Sequence, residues 1–138
     1  MNRYTFNDIK IGQEERFIFE LNEEKMNLFL SITNDTNPLH NDLNFAKTHG
    51  YPEKVVYGML TASALSTLAG VYLPGEKSLI HSVDISFVRP VFLSKCPLVV
   101  SGKVVSKDER FSQITIKYAI TNTDNEKVSR GIMKIGFI

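Results

Sequence analysis

The sequence predicts an α+β domain in which a curved antiparallel sheet wraps around one long, uncharged helix. Three observations predict it. Residues 55–75 contain no charged side chain, so a helix placed there has no face that water would favour. The second half of the chain is a succession of alternating segments, the period of half-buried strands. The order of elements is one strand, then helices, then strands running together, which fits α+β rather than a parallel βαβ array.

Taken in order, residues 15–21 place Phe17, Phe19 and Leu21 on one side of a first strand. Asn22 is an N-cap, Glu23 and Glu24 stand where the helix dipole favours negative charge, and Leu21 and Met26 hold the positions of a hydrophobic staple. A short helix follows to about Ile32 or Thr33. Residues 33–42 read as a loop, because Pro38 bars a continuing helix and the surrounding Asn, Asp and Thr favour side-chain-to-backbone turns. Asp42 caps a short helix carrying Leu43, Phe45 and Ala46, which stops at Gly50. The central helix is expected over residues 58–70, with Gly58, Ala62, Ala64 and Ala69 small enough for a sheet to approach its backbone. Strands are expected at 80–88, 98–105 and 111–121, and a last one carries Met133, Ile135 and Phe137 with a bulge at Gly131. In the first of these, Val83, Ile85 and Phe87 form the apolar side. No repeat or linker divides the 138 residues, so one domain spanning 1–138 is expected.

Composition excludes several function classes. Sixteen basic against fifteen acidic side chains gives no basic face of the kind nucleic acid requires. The single cysteine, Cys96, cannot form an intrachain disulfide and is read as a small residue at a strand edge. Residues 55–75 are long enough to raise a membrane span, but four hydroxyl residues, the Pro74-Gly75 turn and the lack of flanking basic clusters argue against one. The N-terminus shows no basic stretch followed by an apolar run, and a cytoplasmic location is expected. His40, Asp42 and His49 do not have the spacing of a metal site, so no metal is expected.

The segment from Asp35 to His40 is the informative one. It holds a carboxylate and an imidazole five residues apart with Asn37 and Pro38 between them, the two groups needed to move protons around a bound water. Asp and Asn are also ordinary turn formers and a lone histidine is unremarkable, so spacing alone leaves catalysis and a plain turn both open.

Asp35-Thr36-Asn37-Pro38-Leu39-His40-Asn41-Asp42, followed by Phe45-Ala46 and then Gly58-Met59-Leu60-Thr61-Ala62, closely resembles the MaoC-like dehydratases and (R)-specific enoyl-CoA hydratases. Their motif is D-x-N-P-x-H-x-D with a later G-M-L opening the central helix, and Phe87-Val88-Arg89-Pro90-Val91 fits as well. The resemblance implies a hot-dog fold and the interconversion of 2-enoyl and 3-hydroxyacyl thioesters, linked to coenzyme A or an acyl carrier protein. It implies that His40 takes a proton from the attacking water while Asp35 supplies one at the α-carbon. The Gly58 N–H would be the oxyanion contact, as suits a helix N-terminus aimed at developing negative charge. Asn37 would shape the loop or meet the substrate, and Ser66 would lie near the site or bond to its own helix. No cofactor is implied beyond the pantetheine carried by the substrate. A homodimer, or a higher homo-oligomer, is implied because an exposed sheet edge invites pairing. The family usually has glycine where this chain has Asn34, a residue tolerant of unusual backbone angles, and histidine where it has Tyr57. Two other readings are a hot-dog thioesterase, which often carries a carboxylate on the central helix, absent from residues 58–70, and a non-catalytic acyl-thioester-binding subunit.

Overall fold

A computed structural model describes residues 1–138. Its elements are β1 (Glu14–Phe19), α1 (Glu23–Thr33), α2 (Pro38–Asn41), α3 (Leu43–Thr48), α4 (Gly58–Thr67), β2 (Ser78–Phe87), β3 (Leu98–Asp108), β4 (Gln113–Thr121) and β5 (Lys127–Phe137). The five strands form one sheet in the order β1-β3-β4-β5-β2, and every neighbouring pair is antiparallel. This is the α+β hot-dog architecture expected from the sequence.

The capping residues act as their types dictate. Asn22 Oδ1 accepts from the Lys25 amide at 2.9 Å, and Asp42 Oδ1 accepts from the Phe45 amide at 3.0 Å. Asn34 ends α1 in the left-handed conformation at φ 56°, with its amide donating to the Leu30 carbonyl. Asparagine therefore meets the backbone demand at the position where the family usually has glycine.

The α4 helix is wrapped as its lack of charge requires. Leu60, Thr61, Ala62, Ala64 and Leu65 are buried, and the helix continues through one π-helical turn, Leu68–Tyr72, in which Leu68 and Ala69 have no exposed surface. The helical run thus ends two residues beyond the expected Gly70. Inward side chains of β3, β4 and β5, among them Val100, Ile116, Tyr118 and Met133, belong to the same 23-residue core as Leu65 and Leu68. Burying such side chains is worth roughly 1.5–3 kcal/mol each, so this contact is the main support of the fold.

Three expectations are corrected. Residues 33–42 are not a loop throughout: Pro38 opens the helical turn Pro38–Asn41, since proline is compatible with the first helical position, where no amide partner is needed. The register of β5 is regular at Gly131, which pairs with Ile85 and Tyr118; the irregularities in its pairing fall between Ile80 and Ser82 of β2 and between Ile120 and Thr121 of β4, where Val128 is passed over. Glycine is needed at 131 for close approach, because a Cβ there would stand 1.8 Å from the Asp84 carbonyl oxygen. Finally, the apolar side of β2 is not buried by this chain. Val83 is 36% and Phe87 51% exposed, because β2 is an edge strand paired only with β5.

Candidate active site

The short elements between α1 and α4 bring the motif residues to the N-terminal end of α4. Asp35 follows the left-handed turn at Asn34, and its Oδ1 accepts from the Asn37 amide at 3.1 Å. Asn37 in turn caps α2, its Oδ1 accepting from the Leu39 amide at 3.0 Å. Two successive side-chain-to-backbone turns thus set the path from Asp35 to His40. His40 lies on the α2 turn, half-buried, with its ring against Tyr57 at a centroid separation of 4.2 Å.

The His40 Nδ1–H donates to the Val55 carbonyl at 2.7 Å. A carbonyl can only accept, so in the neutral ring this bond places the proton on Nδ1 and the lone pair on Nε2. The hydrogen bond and the packing on Tyr57 hold the imidazole in one orientation.

Tyr57 is 2% exposed and immediately precedes α4. Its hydroxyl proton is shared between the Asp35 carbonyl at 2.9 Å and the Asn41 amide oxygen at 3.2 Å. Residues on both sides of Pro38 are thereby tied to the start of α4. Gly58 is the first helical residue, and its amide lies at the positive end of the helix dipole. The ring of Phe87 covers it so closely that a Cβ at position 58 would stand 3.1 Å from the ring.

Asp35, His40 and Gly58 line one cleft of about 340 Å³, together with Phe29, Tyr57 and Phe87. His40, Gly58 and Phe87 also line a second cleft of about 300 Å³, walled by Val55, Val56, Val91 and Val128. The two clefts share His40, Gly58 and Phe87, and the Asp35 carboxylate lines the first of them. Thr61 lines the second cleft as well, and its Oγ1 is buried without a hydrogen-bond partner.

Of the residues singled out in the sequence, Asp35, His40 and Gly58 come together. Asn37 lines neither cleft, and its amide oxygen is engaged within the loop. Ser66 is exposed two turns along α4 and lines neither cleft in the isolated chain. Sequence reasoning missed the Val55 carbonyl, which any residue could supply, and the Tyr57 hydroxyl, whose only signal was its departure from the usual histidine.

No group of three or more His, Cys, Asp or Glu side chains is placed to hold a metal. No helix is long and apolar enough to cross a membrane. His49 Nδ1 donates to the Phe45 carbonyl at 2.8 Å. Cys96 is half-buried beside the Phe92 carbonyl, and burial pushes its thiol up to about 11.

Known proteins resemble this chain in sequence and in fold. An (R)-specific enoyl-CoA hydratase of Aeromonas caviae is 36% identical over 85 residues, covering 62% of this chain and 63% of that protein. A 3-hydroxybutyryl-CoA dehydratase of Methylorubrum extorquens is 30% identical over 86 residues, 62% of this chain and 55% of that protein. These matches therefore span somewhat under two thirds of the relatives' own length. The solved structure described as the (R)-hydratase from A. caviae involved in PHA biosynthesis superposes with a TM-score of 0.89 at 28% identity, covering 94% of this chain and 98% of that one. The family model described as "MaoC like domain" matches residues 6–127, and the chain belongs to that family.

Proposed function

We propose that the chain is an (R)-specific hydratase/dehydratase that interconverts 2-enoyl and 3-hydroxyacyl thioesters. The observation that carries this reading is the His40 imidazole, fixed by Val55 with Nε2 free, in one cleft with Asp35 and the N-terminus of α4. In the hydration direction, His40 Nε2 takes a proton from water as the water oxygen bonds to the β-carbon. The electron pair of the double bond moves through the α-carbon to the thioester oxygen, where the Gly58 N–H meets the developing charge. One such donor is typically worth about 3 kcal/mol in the transition state. The carbonyl re-forms as Asp35 delivers a proton to the α-carbon, and the proton held by His40 returns through solvent to Asp35. Water is added and no redox equivalent is needed, so no cofactor is invoked beyond the pantetheine of the substrate.

A homodimer belongs to the same proposal. The free edge of β2 leaves Leu79, Ile80, Val83 and Phe87 uncovered, and Phe87 is a wall of the cleft. Molar mass by light scattering should read twice 15.6 kDa at micromolar concentration. A monomer with full activity would remove the dimer from the proposal.

Hydration of crotonyl-CoA, followed by loss of enoyl-thioester absorbance, tests the chemistry in wild type beside Asp35→Asn and His40→Gln. Each variant should lose about 10²-fold or more. Equal rates in all three would overturn the roles given to both residues. Release of free thiol instead of hydration would favour a thioesterase.

A further inference from the structure

Asp35 is tethered at its carboxylate, its carbonyl and its amide. The carboxylate accepts from the Asn37 amide within the same turn, and the carbonyl accepts from the Tyr57 hydroxyl. The third tether runs to α1. Thr33 is the last residue of that helix, and its Oγ1 accepts from the Asp35 N–H at 3.2 Å while donating its own proton to the Phe29 carbonyl at 2.9 Å. One hydroxyl thus serves as donor and acceptor at once. Asn34, left-handed at φ 56°, turns the chain so that the Asp35 amide comes back onto this hydroxyl. A bond from a helical threonine to the carbonyl one turn earlier is common, and it accounts for the Phe29 contact alone. It does not account for the Asp35 amide. Threonine has two favoured rotamers in a helix, and the Phe29 bond selects the one that offers a lone pair to that amide. Thr33 and Phe29 also line the cleft that holds Asp35, His40 and Gly58. No side chain bonds to the Asp35 carboxylate, and none of the five ion pairs of the chain includes it. Its direction is therefore set by its own backbone, which is where Thr33 acts.

We propose that Thr33 is a positioning residue for the hydration chemistry: its hydroxyl anchors the Asp35 amide to the last turn of α1 and so aims the carboxylate into the cleft. The inference rests on reading Asp35 as the proton donor at the α-carbon. An exposed carboxylate without a cationic partner has no strong attraction to fix it, so the rigidity has to come from the main chain on either side. Thr33 supplies it on the N-terminal side from a helix that is itself capped and packed through Met26. The hydroxyl touches neither water nor substrate in the reaction. Valine has nearly the same shape and can make neither bond, whereas serine can make both.

Steady-state hydration of crotonyl-CoA by the full chain tests this with Thr33→Val and Thr33→Ser, each made in the wild type and in Asp35→Asn. In the wild type, Thr33→Val should lower kcat about tenfold with KM little changed, the pattern of misplaced reacting groups. Thr33→Ser should restore kcat to within about twofold, because the hydroxyl is back. In the Asp35→Asn background, Thr33→Val should cost less than about twofold more, since a residue that acts only through the carboxylate has nothing left to position. Thr33→Ala, a better helix former than valine, gives the same reading should valine disturb α1. Unchanged kcat without the hydroxyl would overturn the proposal, as would a serine variant no better than valine. So would an undiminished tenfold loss in Asp35→Asn, which a general weakening of the fold produces and a positioning role does not. In each of these results wild type still hydrates crotonyl-CoA, so the chemistry assigned to His40 and Asp35 stands. Failure of wild type to hydrate it would overturn that chemistry and the role of Thr33 together.

Discussion

The Tyr57 hydroxyl donates to the backbone carbonyl of Asp35 at 2.9 Å, bonding the Asp35–His40 segment to the residue that immediately precedes α4. The bond fixes the loop at its carbonyl and leaves the Asp35 carboxylate exposed to the cleft. The same phenol ring packs against His40. Position 57 therefore contacts both Asp35 and His40.

Tyr57→Phe separates the two contributions, since it keeps the ring and removes the hydroxyl. Losing a buried hydrogen bond should cost about 1 kcal/mol, which in a domain of this size lowers Tm by roughly 4 °C. If the bond positions the Asp35 loop, kcat for crotonyl-CoA should fall about tenfold with KM little changed, as expected for a geometric error in the reacting groups. Unchanged kcat beside the lower Tm would limit Tyr57 to a structural role.

Thr61 is 1% exposed and its hydroxyl has no partner within the protein. A buried hydroxyl without a partner is a cost that valine does not carry, so Thr61→Val should leave stability unchanged or raise it by up to about 1 kcal/mol. Urea denaturation measures this directly. A loss of 1 kcal/mol or more would mean that the hydroxyl is satisfied in solution, by water or by the helix backbone.

Cys96 should resist alkylation. Burial first, then the nearby Glu20 and Glu53 carboxylates, hold its thiol near 11, above its ordinary 9.0. At pH 8 iodoacetamide should label the native chain far more slowly than the urea-unfolded chain. The sign of the linkage follows: between pH 9 and 11 the unfolded thiol ionises and the native one does not, so stability falls as pH rises through that window. Rapid native labelling at pH 8 would contradict the burial.

Much of this protein can be read from its chain because its local signals agree with one another. Asn22 and Asp42 cap as their side chains allow, Asn34 takes the left-handed angle it tolerates, and the charge-free stretch from Val55 onward has to be enclosed. These features depend on residues near in sequence or on hydrophobicity alone. The Asp35–His40 motif was visible for the same reason, as were Gly58 at a helix start and the family they indicate.

Contacts between distant residues were decided by the tertiary structure. A main-chain carbonyl leaves no trace in residue type, so nothing in the sequence indicated that Val55 would set the His40 tautomer. The alternation of β2 was plain, yet only the strand order made it an edge and left Val83 and Phe87 uncovered. Gly131 read as a bulge because a glycine in a strand fits a bulge or a close approach equally well; the Asp84 carbonyl across the sheet decided between them. The near-zero net charge likewise gave no sign that the sheet gathers Lys103, Lys117, Lys127 and Arg130 around one depression, since charges cancel in a sum. Local propensity sets the elements and their caps, whereas register and strand order determine which side chains meet.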